Sequence, residues 1–345
     1  MAQQLPSFDF ACPRCRGALI PVEPSPPARG QGEGASNQFR CPTDSLTFSR
    51  VDGIWRFLLP EREDHYTRFI AEYETVRAAE GRGADSPEYY RALPFRDLSG
   101  RFSQDWKIRA RSFRALVREV VAPLERYLER PLTVLDLGSG NGWLSARLAS
   151  RHAQAVAVDL LTNPRDGLGA WRNYPVTFTP LQAEFTRLPL ADGQMDLVIF
   201  NASFHYAEGC EDALAEALRV LAPPPGLVLV MDSPVYDDPS SGAAMVSERE
   251  AYFTARYGFP SNSLHSENFL TYPRMEELGR AVGIRWQHLV PNYGLRWRLR
   301  PWLRRWRRAS GIALRRHDAA WLAQRRGGRE PAEFGLWIGA RLDKK

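Results

Sequence analysis

The residues Asp136-Leu137-Gly138-Ser139-Gly140-Asn141-Gly142 set a carboxylate before a glycine-rich turn. The apolar pair Val134-Leu135 precedes them, and Leu144 to Ser150 reads as a helix. That strand–turn–helix context makes a bare glycine pattern a cofactor-binding turn. Glycines let the backbone pass close to a ligand with no Cβ in the way. The pattern departs from the dinucleotide fingerprint, because Trp143 stands where G-x-G-x-x-G requires its last glycine. Asp136 would repel a pyrophosphate and attract a cation. A sulfonium carrying an ammonium group meets that demand better than a dinucleotide does.

A second apolar run, Ala155 to Val158, ends in Asp159. It lies about 20 residues beyond the first, where doubly wound folds place a carboxylate on ribose hydroxyls. With these two strand ends the chain resembles the class I S-adenosylmethionine-dependent methyltransferases, in the broad group that includes the quinone-biosynthesis methyltransferases. Three further segments carry the resemblance. Glu184 to Leu190 is similar to the loop that cups the adenine, with Glu184 where the family usually has aspartate. Met195 to Asn201 resembles the fourth strand, and Leu214 to Met231 the following helix, turn and fifth strand. The segments span residues 130–235 in the family's order. The resemblance implies a Rossmann-like α/β fold with a doubly wound, mostly parallel sheet. It also implies a donor site of Asp136, Gly138, Ser139, Gly140, Asn141, Gly142, Asp159, Leu160, Glu184, Phe185 and Asn201.

Methyl transfer is an in-line displacement, and alignment of donor and acceptor is the enzyme's main task. An acceptor that must lose a proton also needs a base. His205 follows the fourth strand and titrates near neutrality in water, so it is the first candidate base. Tyr206 and Tyr236 are alternatives. The alternative reading has His205 packing and hydrogen-bonding at a strand end, and Tyr206 and Tyr236 only lining the pocket.

Cys12-Pro13-Arg14-Cys15-Arg16-Gly17 has metal-knuckle spacing: two thiols two residues apart and a glycine to relieve the bend. Cys41-Pro42-Thr43-Asp44 is a second knuckle with aspartate in place of the expected cysteine. The arrangement resembles the zinc ribbon found ahead of some bacterial methyltransferases, including certain ribosomal RNA methyltransferases. Two readings stay open. Cys12, Cys15, Cys41 and Asp44 hold zinc, or the ribbon has lost its metal and survives on packing.

These residues need elements to position them. The expected organisation is a small zinc-ribbon-like β module over 1–60, a helical lead-in covering the pocket over 61–129, and the methyltransferase domain over 130–345. That domain carries an aromatic excursion at 233–272, where the family builds its acceptor pocket, and a basic insertion at 294–330. The chain's net charge of +6 hides that insertion: residues 296–329 hold twelve arginines and one acid, Asp318. Leu299, Trp302, Leu303 and Trp306 form one helical face with arginines around it. Such a helix suits an anionic membrane surface, RNA, or a lid on its own domain. The N-terminus lacks the basic and apolar regions of a signal peptide, and no apolar run reaches bilayer length, so a cytoplasmic protein, with or without peripheral membrane contact, is expected. The expected function is methylation of a small-molecule or lipid-like acceptor. An RNA methyltransferase and a non-catalytic scaffold are the alternatives.

Overall fold

The computed structural model describes residues 8–22, 37–294, 330 and 332–342. The helix expected over 299–308 lies outside the described residues.

An antiparallel ribbon comes first: β1 (Ile20–Pro21), β2 (Gln38–Arg40), β3 (Thr47–Val51) and β4 (Ile54–Arg56). Helices follow: α1 (Pro60–Glu80), α2 (Pro87–Ala92), α3 (Ser103–Leu116), a π-helical turn (Val117–Val121) and α4 (Ala122–Leu128). Pro60 in the first turn starts α1, with Glu61 and Glu63 placed favourably for the helix dipole. Gly81, at φ 71°, ends it in the left-handed conformation.

The core alternates β5 (Thr133–Leu137), α5 (Trp143–Ala149), β6 (Gln154–Asp159), β7 (Thr179–Gln182), β8 (Leu197–Asn201), α6 (Cys210–Val220) and β9 (Leu227–Met231). After it come β10 (Val235–Tyr236), α7 (Pro239–Tyr257), β11 (Leu270–Thr271), α8 (Tyr272–Val282), β12 (Ile284–Leu289) and β13 (Leu336–Arg341). The main sheet has the order β1-β2-β3-β4-β7-β6-β5-β8-β9-β13-β12. From β4 to β9 neighbouring strands are parallel, while β13 joins β9 antiparallel and β12 joins β13 antiparallel.

The central strands are apolar on both faces because helices cover both. Leu135, Leu137, Val198 and Phe200 pack in one cluster with Ala213 and Leu214 of α6. Val134, Leu197 and Ile199 pack in another with Phe113 and Leu116 of α3 and Leu144 of α5. Strand order reverses between β5 and β8, which opens a crevice at their carboxyl ends.

The N-terminal ribbon is not a detached unit, contrary to the sequence expectation. β4 pairs in parallel with β7, Trp55 opposite Leu181 and Arg56 opposite Gln182. The rings of Phe10, Phe39, Trp55 and Phe57 pack on one another and belong to the same core as β5 and β8. The physical reason is the exposed edge of β7, which the ribbon covers. No helix among the described residues is long and apolar enough to cross a membrane.

Candidate active site

At the carboxyl ends of β5, β6 and β8 lies a cavity of about 730 Å³. That volume lies within the range of small-molecule sites. Gly138, Ser139, Gly140, Asn141, Asp159, Leu160, Glu184, Phe185, Asn201 and Tyr206 all line it. The sequence reading scattered these residues over four strand ends, and the parallel sheet gathers them.

The turn after β5 needs its glycines. Gly138, Gly140 and Gly142 have φ of 72°, 55° and 77°. A Cβ on Gly138 would stand 2.3 Å from the Cβ of Ser203, and one on Gly142 would stand 2.7 Å from the ring of Phe178. Asp159 ties the turn to β6: its carboxylate accepts the N–H of Gly140 at 2.8 Å and that of Leu161 at 2.8 Å. Burial pushes the Asp159 carboxyl up to about 6.

Two of the expected donor-site residues stand just behind the wall. Asp136, 1% exposed, lies under the turn and accepts the Ser145 hydroxyl at 2.8 Å. Burial pushes it up to about 7, and its other oxygen has no partner among the described residues. Gly142 caps α5 against Phe178 and does not line the cavity.

Ser139 Oγ and Asn201 Oδ1 are also buried without a hydrogen-bond partner among the described residues, and both line the cavity. Buried polar atoms are nearly always paired, so these two mark where polar groups of a ligand belong. The set fits S-adenosylmethionine. Glycines open the backbone, Asp159 and Ser139 offer polar contacts, and the Asn201 carbonyl and the Asp136 carboxylate favour a cationic centre.

Of the three proposed acid–base residues, only Tyr206 lines the cavity. It shares the short 3-10 turn Phe204–Tyr206 with His205, whose ring packs 4.2 Å behind its own. The ring of His205 packs away from the cavity, with Nδ1 3.3 Å from Ser233 Oγ. Burial, reinforced by the charge of Arg249, holds it down at about 3, which makes it a feeble base near neutrality. Tyr236 is buried against Phe269 in β10 and does not line the cavity. The excursion at 233–272 contributes Leu264 alone to the lining among the described residues, so its aromatic residues pack on each other instead.

The opposite wall is α1, which sequence reasoning placed over the pocket without naming its residues. Arg62, Tyr66, Phe69, Tyr73 and Arg77 face the cavity. Their spacing of four, three, four and four is one helical stripe. Hydropathy periodicity misses it because the stripe mixes arginine with aromatic rings. Ion pairs fasten this wall. Arg62 meets Glu184 at 2.9 Å and Glu208 at 3.3 Å. Tyr66 donates to Glu184 at 2.8 Å, and Arg77 pairs with Asp166. Glu184, expected on the adenine, is thus held by α1. Trp106 and Arg109 of α3 also line the cavity.

The cysteine knuckles assemble beside this site. Ligand atoms of Cys12, Cys15, Cys41 and Asp44 all lie within 4.8 Å of one another. Burial pushes the Cys12 thiol up to about 12, and the hydrogen bond to Asp44 raises Cys15.

Residues 135–229 match the family described as a methyltransferase domain. They contain the glycine turn, Asp159, Glu184 and Asn201. Over 98 residues the chain is 39% identical to a malonyl-[acyl-carrier protein] O-methyltransferase of Geobacter sulfurreducens, covering 27% of this chain and 35% of that one. A Coxiella burnetii protein of the same name is 32% identical over 106 residues, 29% of this chain and 36% of that one. The chain thus spans little more than a third of the length of these curated relatives. Among solved structures, a Burkholderia thailandensis 1,6-didemethyltoxoflavin-N1-methyltransferase with bound S-adenosylhomocysteine aligns with a TM-score of 0.42 at 15% identity. That alignment covers 86% of this chain and 96% of the other.

Proposed function

We propose that this protein is an S-adenosylmethionine-dependent methyltransferase acting on a small acceptor. The observation that carries the reading is the cavity wall itself. A glycine turn at positive φ, a carboxylate on its backbone and two unpartnered buried polar atoms converge at the strand-order reversal. The match of residues 135–229 to a methyltransferase domain supports it.

The donor, when bound, supplies a methyl group already activated by positive sulfur. The chain's residues hold and orient. Asp136 and Asn201 favour the cationic end, and Asp159 the ribose. The Tyr66, Phe69, Tyr73 and Trp106 rings shape the remaining space and exclude water. Tyr206, with its ring 6.0 Å from that of Tyr73, faces the acceptor side. Those rings favour a small acceptor with an apolar body, and the relatives' names, which specify a malonyl group, are compatible with a small acceptor. The membrane reading rested on 299–308 and the RNA reading on that segment and the ribbon, and neither gains support from the cavity.

The test is calorimetric titration with S-adenosylmethionine and S-adenosylhomocysteine. Micromolar binding of both, followed by methyl transfer from labelled donor to members of a small-acid and phenol panel, is the expected result. A folded protein that binds neither would overturn the reading.

A further inference from the structure

None of the four cluster residues lines the cavity, but Arg16, next to Cys15, does, and the cluster is tied to α1 and to the loop that follows Glu184. Sγ of Cys15 and Sγ of Cys41 are 3.5 Å apart, and Asp44 Oδ2 lies 3.2 Å from Sγ of Cys12 and 3.6 Å from that of Cys41. Zinc–sulfur bonds of about 2.3 Å in a tetrahedron put sulfurs about 3.8 Å apart, so these atoms already stand close to the vertices of such a site. Three thiolates and one carboxylate suit zinc by softness and by number. Cys12 and Cys41 are fully buried, and the knuckles are closed by the Cys12–Gly17 and Cys41–Leu46 backbone hydrogen bonds.

Two connections leave the cluster. The strand entering the first knuckle pairs with the loop that follows Glu184 and Phe185. Phe10 bridges Leu190, the Ala11 N–H donates to Pro189, and the Ala191 N–H donates to Asp9. The knuckle itself reaches α1: Arg14, between the two cysteines, pairs with Glu61 at 2.6 Å. Glu61 is next to Arg62, which holds Glu184 across the cavity.

We propose that Cys12, Cys15, Cys41 and Asp44 bind one zinc ion, and that this ion fixes the edge of the cofactor cavity, so that metal content sets cofactor affinity. The cavity as donor site rests on the function proposed above; the metal site does not. Binding forms three zinc–thiolate bonds and one zinc–carboxylate bond, and any thiol protons leave to solvent. The loaded knuckle then holds Arg14 against Glu61 and the 184–190 loop against the ribbon.

The experiment uses the full chain, purified with its metal and then stripped by a chelator under reducing conditions. Cobalt(II) titrated into stripped protein should give one equivalent of binding with thiolate-to-cobalt charge-transfer absorption. S-Adenosylhomocysteine should bind about tenfold more weakly to stripped protein than to zinc-loaded protein, with far-ultraviolet dichroism of the core retained. Arg14→Ala should keep the cobalt signature and lose about threefold of the affinity, since an exposed pair contributes little. Asp44→Cys should bind cobalt at least as tightly as the native chain, which keeps the metal test independent of a Cys12 variant that fails to fold. Absence of the charge-transfer band, or recovery of the chain as a metal-free disulfide, overturns the metal site. Equal affinities of stripped and loaded protein overturn the coupling. If loaded protein binds no S-adenosylhomocysteine, the methyltransferase reading fails and the cobalt titration still decides the metal site.

Discussion

The two walls of the cavity are built on different principles. The wall made by β5, β6 and β8 is held by strand pairing and by a turn whose glycines admit no Cβ. The wall made by α1 is held by side chains: Arg62 pairs with Glu184 and Glu208, Arg77 pairs with Asp166, and His65 Nε2 lies 2.9 Å from a Glu208 carboxylate oxygen. The first wall is set before any ligand arrives. The second can part from the first without breaking a single backbone hydrogen bond of the sheet. On the function proposed above, donor recognition belongs to the rigid wall, and access to the wall that ion pairs close.

The largest effect should come from breaking the rigid wall. Gly138→Ala puts a methyl 2.3 Å from the Ser203 Cβ at a φ of 72°. Strain and overpacking together should destabilise the protein by about 3 kcal/mol. Cofactor affinity should fall about a hundredfold, because the turn must move to relieve the clash. Thermal unfolding and calorimetry check both parts. An unchanged affinity would mean that the turn does not touch the ligand.

Arg77→Met attacks the other wall. Arg77 is one-fifth exposed and Asp166 is nearly buried, so removing the guanidinium strands a carboxylate. The expected loss is about 2 kcal/mol, less than for a fully buried pair because solvent reaches the arginine. Affinity should fall only about tenfold, since the glycine turn stays intact. The comparison of walls breaks down if Arg77→Met unfolds the core strands as readily as Gly138→Ala, measured by hydrogen exchange in β5 and β8.

The same contrast explains what was legible in the sequence. Asp136, the glycines, Asp159 and Asn201 stand at ends of apolar runs, and those runs carry the methyltransferase resemblance that implies their place in a parallel sheet. α1 carries no such pattern: Arg62, Tyr66, Tyr73 and Arg77 are polar or aromatic, and their partners lie far away in sequence. His205 shows the limit from the other side. Its position after β8 suggested a base, yet a short turn sends Tyr206 into the cavity and buries His205 behind it. The ribbon's union with the core was hidden for a similar reason. The β4–β7 pairing joins residues more than a hundred positions apart, and the aromatic cluster that seals it reads locally as a small module's own core.

A pH profile sharpens the rigid wall's role. Burial holds Asp136 up at about 7 and Asp159 at about 6, above the ordinary 3.8. The folded state thus keeps protons that the unfolded chain releases between about pH 4 and 7. The stability these two groups contribute is present below pH 4 and is lost as pH rises through 6 to 7. Binding of a sulfonium runs the opposite way, because a cation favours the ionised carboxylates. Affinity for S-adenosylmethionine should rise about fivefold from pH 5.5 to 7.5. Asp136→Asn should flatten that rise, and a flat native profile would place the cation elsewhere.

Salt should separate the walls by the smallest effect. The ion pairs of α1 are partly open to solvent: Arg62 and Arg77 are each about one-fifth exposed, and Glu208 somewhat more. Such pairs weaken once the screening length shrinks from about 10 Å at 0.1 M salt to about 3 Å at 1 M. The Asp159 bonds to the Gly140 and Leu161 amides are short and partly buried, so salt weakens them less. Raising salt from 0.1 to 1 M should therefore loosen α1 and speed both association and dissociation of S-adenosylhomocysteine about twofold, leaving its equilibrium affinity nearly unchanged. Stopped-flow tryptophan fluorescence reads this directly, since Trp106 lines the cavity. A salt effect on the dissociation rate alone, which weakens the equilibrium affinity in proportion, would show that α1 belongs to donor recognition and not to access.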